Sequence, residues 1–110
     1  MHMKETSLLI LFIGSWLMAA GQNIQKSEQD VQTESVFIEA IRNKLIDRHD
    51  LSVPQFRELI KKQPENHVLW YELGYGLMKT KKVDEAIDAV SKAVSLYPNH
   101  TNYLELQADL

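Results

Sequence analysis

The residue types that could do chemistry are present in this chain, but they do not converge. Histidines stand at positions 2, 49, 67 and 100. A helical metal site needs a histidine pair four residues apart or a histidine beside facing acids, and His49, His67 and His100 have neither. The acids Glu58, Asp84, Glu85 and Asp88 fall on the solvent faces of amphipathic segments rather than opposite one another. There is no nucleophile motif, no glycine-rich phosphate loop and, with no cysteine, no cysteine–histidine pair. The expectation is therefore no catalytic residue, no metal and no cofactor. Lys79, Lys81 and Lys82 form one basic cluster, at a helix end where cations complement the backbone dipole, which favours a solvated turn over a binding site. Asn99-His100-Thr101 meets the N-glycosylation sequon, although a turn followed by a helix start accounts for the same residues.

Composition narrows the partners. With 110 residues, 45% hydrophobic and 25% charged, the chain is sized for one small domain. Its net charge of −3 arises from 12 basic and 15 acidic residues dispersed along the sequence. No concentrated positive field is available, so a nucleic-acid partner is not expected.

The start of the chain reads differently from the rest. Lys4 precedes an unbroken apolar run from Leu8 to Ile13, and the segment that follows ends in the small residues Ala19, Ala20 and Gly21. This is the layout of a secretory signal peptide over residues 1–21, with cleavage after Gly21. The apolar core, residues 8–20, falls short of the roughly 20 residues a membrane-spanning helix needs. Export to a periplasmic or secreted location is the expectation; the alternative is an uncleaved segment that anchors the chain to a membrane. Residues 22–35 are polar with two isolated apolar side chains, which predicts a flexible leader.

Beyond it every periodic segment is helical, so the fold class is all-α. Phe37, Ile38, Ile41, Leu45 and Ile46 predict a first helix over 36–48, ended by His49-Asp50. Ser52 and Gln55 read as a capping box opening a second helix, with Pro54 in its first turn and Phe56, Leu59 and Ile60 inward. Asn66 caps a third helix over 67–79 that carries Leu69, Trp70, Leu73, Leu77 and Met78. The turn Thr80-Lys81-Lys82 leads to a fourth over 83–96, with Ala86, Ile87, Val90, Ala93 and Val94 inward, and a fifth starts near Thr101.

Pro64 and Pro98 each close a helix, and each is soon followed by Asn-His, at Asn66-His67 and Asn99-His100. The interval that ends at Pro98 carries Trp70, Leu73, Gly74, Leu77, Ala86, Val90 and Ala93. This pattern resembles the tetratricopeptide repeat, a two-helix unit of about 34 residues, and the two prolines stand one such unit apart. Leu77 and Val90 take the places of the usual tyrosine and phenylalanine. Small side chains at Gly74 and Ala86 suit the point where two antiparallel helices cross. The flanks match less well. Residues 36–64 read as a degenerate repeat, aligned as Ile38, Ile41, Arg42 and Leu45 with a shortened turn, and Ser52 replacing the alanine. Residues 101–110 read as the opening helix of an incomplete repeat, aligned one residue early through Tyr103, Leu106, Gln107 and Leu110.

The resemblance implies a short helical-hairpin superhelix that works as a protein–protein interaction module, taking a peptide or partner helix in a groove lined by first helices. It places Val68, Tyr71, Tyr75, Met78 and Lys79 on that groove, although Tyr71 and Tyr75, four apart, could instead stack on each other or cover a neighbouring helix. Solenoids of this kind usually need about three repeats. Two expectations follow: the sequence is the N-terminal part of a longer repeat protein or enzyme, or its open edge at Ala93 and Val94 is covered by self-association.

Overall fold

A computed structural model describes residues 27–110, so the signal-peptide reading of residues 1–21 falls outside the described residues. The described residues form five α-helices and no strand: α1 (Glu28–Leu45), α2 (His49–Lys62), α3 (His67–Lys79), α4 (Val83–Leu96) and α5 (Thr101–Asp109). The described residues divide into two parts, residues 27–31 and 32–110. In the first, Ser27 Oγ accepts from the Asp30 amide at 3.2 Å, satisfying one of the free amides that open α1. Helix therefore begins at Glu28, and the leader expected to be flexible over 22–35 is helical from residue 28 onward.

The second unit is built on a strict period, the interval from Pro64 to Pro98. The same interval separates the ends of α1 and α3, Leu45 and Lys79, and it displaces α4 from α2 at both ends. The turns repeat as well. Asp47 (φ 61°) and Lys81 (φ 65°) adopt the left-handed conformation that closes a helix. One residue later, the Arg48 amide donates to Asn43 O at 2.8 Å and the Lys82 amide to Leu77 O at 2.9 Å. There is no shortened turn in the first repeat. Its first helix aligns through Ala40, one period before Gly74, and Ala40 is fully buried.

That register corrects several sequence expectations. The packed face of α1 carries Val36, Phe37, Ala40 and Ile41, while Ile38, Leu45 and Ile46 are exposed. The larger aliphatic residues mark the wrong stripe because the true one includes small and polar side chains, Ala40 and Asn43, which are buried. His49 and Asp50 open α2 rather than ending α1. Ser52 is no cap: it lies inside α2, 1% exposed, at the place Ala86 takes one repeat later, and Pro54 follows within the same helix. The left-handed turn at Asp47 fixes where α2 starts, and that geometry overrides the capping preference of Ser52. In α4, Ile87 is 40% exposed and Ala89 is buried in its stead. This helix carries more aliphatic residues than one face can hold, and Ala86, Ala89, Val90 and Ala93 form the narrow stripe at three- and four-residue spacing. At the other end, α5 starts one period after α3, which puts Ala108, not Gln107, in the place of Gly74.

Helix α3 is sandwiched between α2 and α4, and it carries a glycine toward each. A Cβ on Gly74 would stand 2.5 Å from Val90 Cγ2, and one on Gly76 would stand 2.7 Å from Val53 Cγ2. Around these crossings Phe56, Leu59, Leu69, Leu73, Leu77 and Val90 fill the core. Asn66 caps α3 as its sequence predicts, its side chain accepting from the Val68 amide at 3.1 Å. Trp70 lies half-buried and donates from Nε1 to Pro64 O at 2.8 Å, tying the inter-repeat turn to the helix that follows it.

Candidate functional site: the face of the first helices

The first helices of the repeats, α1, α3 and α5, lie side by side. Lys44 of α1 reaches Glu72 of α3 at 2.7 Å, and Tyr71 of α3 stacks on Tyr103 of α5 with ring centroids 4.8 Å apart. The residues singled out on α3 distribute over this surface in different ways. Val68 and Lys79 are exposed, whereas Tyr71, Tyr75 and Met78 are half-buried, Met78 packing against the core.

Tyr71 and Tyr75 do not stack on each other. Each covers a different neighbour, Tyr71 the buried ring of Tyr103 and Tyr75 the edge of His49 at 5.9 Å. Two ammonium groups also approach the ring of Tyr75: Lys44 Nζ at 4.9 Å from its centroid and Lys79 Nζ at 5.5 Å. A cation held over an aromatic ring is attracted by the negative face of the π system. Tyr75 is thus the centre of a polar and aromatic patch to which α1, α2 and α3 all contribute.

Toward α5 the surface becomes a cluster of rings. Tyr103 is buried between Tyr71 and His100, the latter stacked nearly parallel to it with ring centroids 3.9 Å apart. Its hydroxyl shares a hydrogen bond of 2.7 Å with His67 Nδ1, and His67 stacks on Tyr97 at 4.8 Å. Burial, and secondarily the negative charge of Glu72, raises the pKa of both Tyr71 and Tyr103 above the ordinary tyrosine value. The two Asn-His pairs thus have unequal roles: Asn66 is a cap, while His67 and His100 are ring partners that seat α5.

Sequence reasoning missed Lys44 and Glu72 on this face. Glu72 is the charged residue α3 buries, and nothing in its local pattern distinguishes it from a solvent-facing acid. The repeat offset sets Phe37 and Ile41, which pack against the core, one period before Tyr71 and Tyr75. A shallow cleft of about 370 Å³ lies on another side, between α2, α3 and α4. It is lined by Trp70, Leu73 and Ala89, with an Arg57–Glu85 contact of 3.4 Å at its rim. Among the described residues no three His, Cys, Asp or Glu side chains gather to hold a metal ion.

Strict periodicity, small residues at each crossing and first helices ranked along one face agree with what sequence comparison finds. The tetratricopeptide repeat pattern matches residues 67–100. Those residues are a tetratricopeptide repeat. A similar protein is the anaphase-promoting complex subunit CDC16 of Saccharomyces cerevisiae, 32% identical over an alignment of 72 residues that covers 59% of this chain and 9% of the yeast protein. Among solved structures, a mutant of MamA superimposes with a TM-score of 0.66 at 25% identity, over 70% of this chain and 42% of that one. The chain thus spans a small part of the yeast relative and under half of MamA. Tetratricopeptide repeats generally act in protein–protein interaction, and the family and fold are typically non-catalytic.

Proposed function

We infer that this chain is an exported, non-catalytic adaptor that holds a peptide or partner helix against the face of α1, α3 and α5. The observation that carries the reading is Tyr75, half-buried, with Lys44 and Lys79 over its ring and His49 at its edge. A flat aromatic with a polar tip, flanked by long cationic side chains, gives a partner both contact area and hydrogen-bonding groups. Val68 and Met78 extend the patch along α3, and Lys79 borders it. Tyr71 belongs to the same face but also supports Tyr103, so it is a poor residue on which to test binding.

The test is a peptide-display selection on the folded chain, with the Tyr75→Ala variant as counter-target. Enriched peptides should lose most of their affinity for the variant while its circular dichroism stays that of the parent. Peptides that bind both forms alike would place recognition elsewhere. Export rests on residues 1–21 and is tested separately by mass spectrometry of the native N-terminus. A chain beginning at Gln22 supports cleavage; one retaining Lys4 supports the anchored alternative, in which the same face recruits partners at a membrane.

A further inference from the structure

Two positions of the first helix change character along the row of repeats. In α1 they hold Phe37 and Ile41, which pack against the core. One period later, in α3, they hold Tyr71 and Tyr75, half-buried. One period later again, in α5, they hold Glu105 and Asp109, both exposed. Burial is the main cause of the raised Tyr71 pKa, and Glu105 is among the charges that add to it, so Glu105 stands within electrostatic reach of that ring. Beside Tyr75 the sign is opposite, with the ammonium groups of Lys44 and Lys79 over the ring. The face therefore runs from cationic where α1 meets α3 to acidic at α5.

These charges are not neutralised within the chain. The ion pairs of the described residues include Lys44 with Glu72 at 2.7 Å, but none includes Lys79, Glu105 or Asp109. Glu105 and Asp109, four residues apart on one helix, also repel each other, which a basic group between them would relieve. Resting on the reading of this face as the binding surface, we propose that the partner is an extended peptide with one acidic and one basic side chain about three residues apart. Lys79 holds the acid at the Tyr75 ring, and Glu105 and Asp109 hold the base. Packed helices stand about 8–10 Å apart and an extended chain advances about 3.3 Å per residue, so the step from α3 to α5 takes about three residues. A helical partner rises only about 1.5 Å per residue and would need about six or seven. A second acid in place of the base would meet repulsion at α5.

The test uses the full chain and a randomised peptide library with one glutamate fixed at the centre and one lysine placed at each other position in turn. Binding should peak with lysine about three residues from the glutamate. Replacing that lysine by glutamate should weaken binding about fivefold. Glu105→Gln with Asp109→Asn should erase the preference for lysine and keep that for the central glutamate. Glu105→Lys with Asp109→Lys should convert it into a preference for a second glutamate, and Lys79→Glu should erase the preference for the central one. All these residues are exposed, so the variants should keep the parent's circular dichroism. Binding that Tyr75→Ala abolishes but that ignores lysine position overturns this proposal and leaves the binding face standing. An optimum at about seven residues also overturns it, by showing a helical partner. No binding, or binding indifferent both to Tyr75→Ala and to lysine position, overturns the two readings together.

Discussion

Gly74 and Val90 meet so closely that a methyl group on Gly74 would stand 2.5 Å from Val90 Cγ2 and 3.3 Å from the Val90 amide nitrogen. Alanine favours a helix over glycine by about 1 kcal/mol, but here the backbone of α4 would have to retreat. Gly74→Ala should therefore destabilise the fold by about 1–3 kcal/mol, as overpacked cores do. In the Val90→Ala background the penalty should shrink, because the nearest atom is gone. Urea denaturation of the four members of this cycle measures the coupling, and additive effects would contradict the close crossing.

Ser52 presents the opposite case. It fills the small-residue position of the first repeat with a buried hydroxyl that has no hydrogen-bond partner among the described residues. Ser52→Ala removes an unsatisfied group and improves helix propensity, so stability should rise by about 0.5–1 kcal/mol. The reverse change one repeat later, Ala86→Ser, should lower it. A Ser52→Ala variant with a lower urea midpoint would show that the hydroxyl is satisfied in solution.

These two positions also explain what the sequence discloses. At Gly74 and Ala86 the requirement is steric and local to the helix crossing, and at Pro98 it is local to the helix end, so residue type alone reveals it. Ser52 looks like a cap because capping is its commonest use, and only the left-handed turn at Asp47 shows that α2 has already begun. Tyr75 is legible as a residue of the first-helix face through the repeat that the sequence resembles. Lys44 is not, because its value there depends on α1 and α3 lying side by side. The exposed stripe of α1 misleads for a related reason, since size and apolarity do not tell which of two stripes has a neighbour.

Lys44 and Glu72 form a pair that is only partly open to water, with side chains 22% and 10% exposed. Lys44→Ala leaves the Glu72 carboxylate largely buried without its counter-charge, which should cost about 1–3 kcal/mol. Adding Glu72→Gln should recover part of that loss, because a neutral amide tolerates the site better. Thermal melts of the single and double variants check this, and a single variant as stable as the parent would mean that water replaces Lys44.

The ring cluster gives the fold an alkaline limit. Burial raises Tyr71 and Tyr103 above 10.0, the value a tyrosine has in the unfolded chain. Below that value both are neutral in either state, and the stability tied to their burial is fully present. As pH rises above it the unfolded chain loses these protons first. Stability then falls until the folded-state values are passed. Tyr71 faces solvent on one side, so most of the effect should come from Tyr103, whose hydroxyl shares its hydrogen bond with His67. Tyr103→Phe should lower stability near neutrality by about 1 kcal/mol through loss of that bond, yet flatten the decline at high pH. Urea midpoints across the alkaline range, read beside tyrosinate absorbance, separate the two effects. If parent and variant lose stability with the same slope, the Tyr103 hydroxyl already reaches water and α5 is not seated by it.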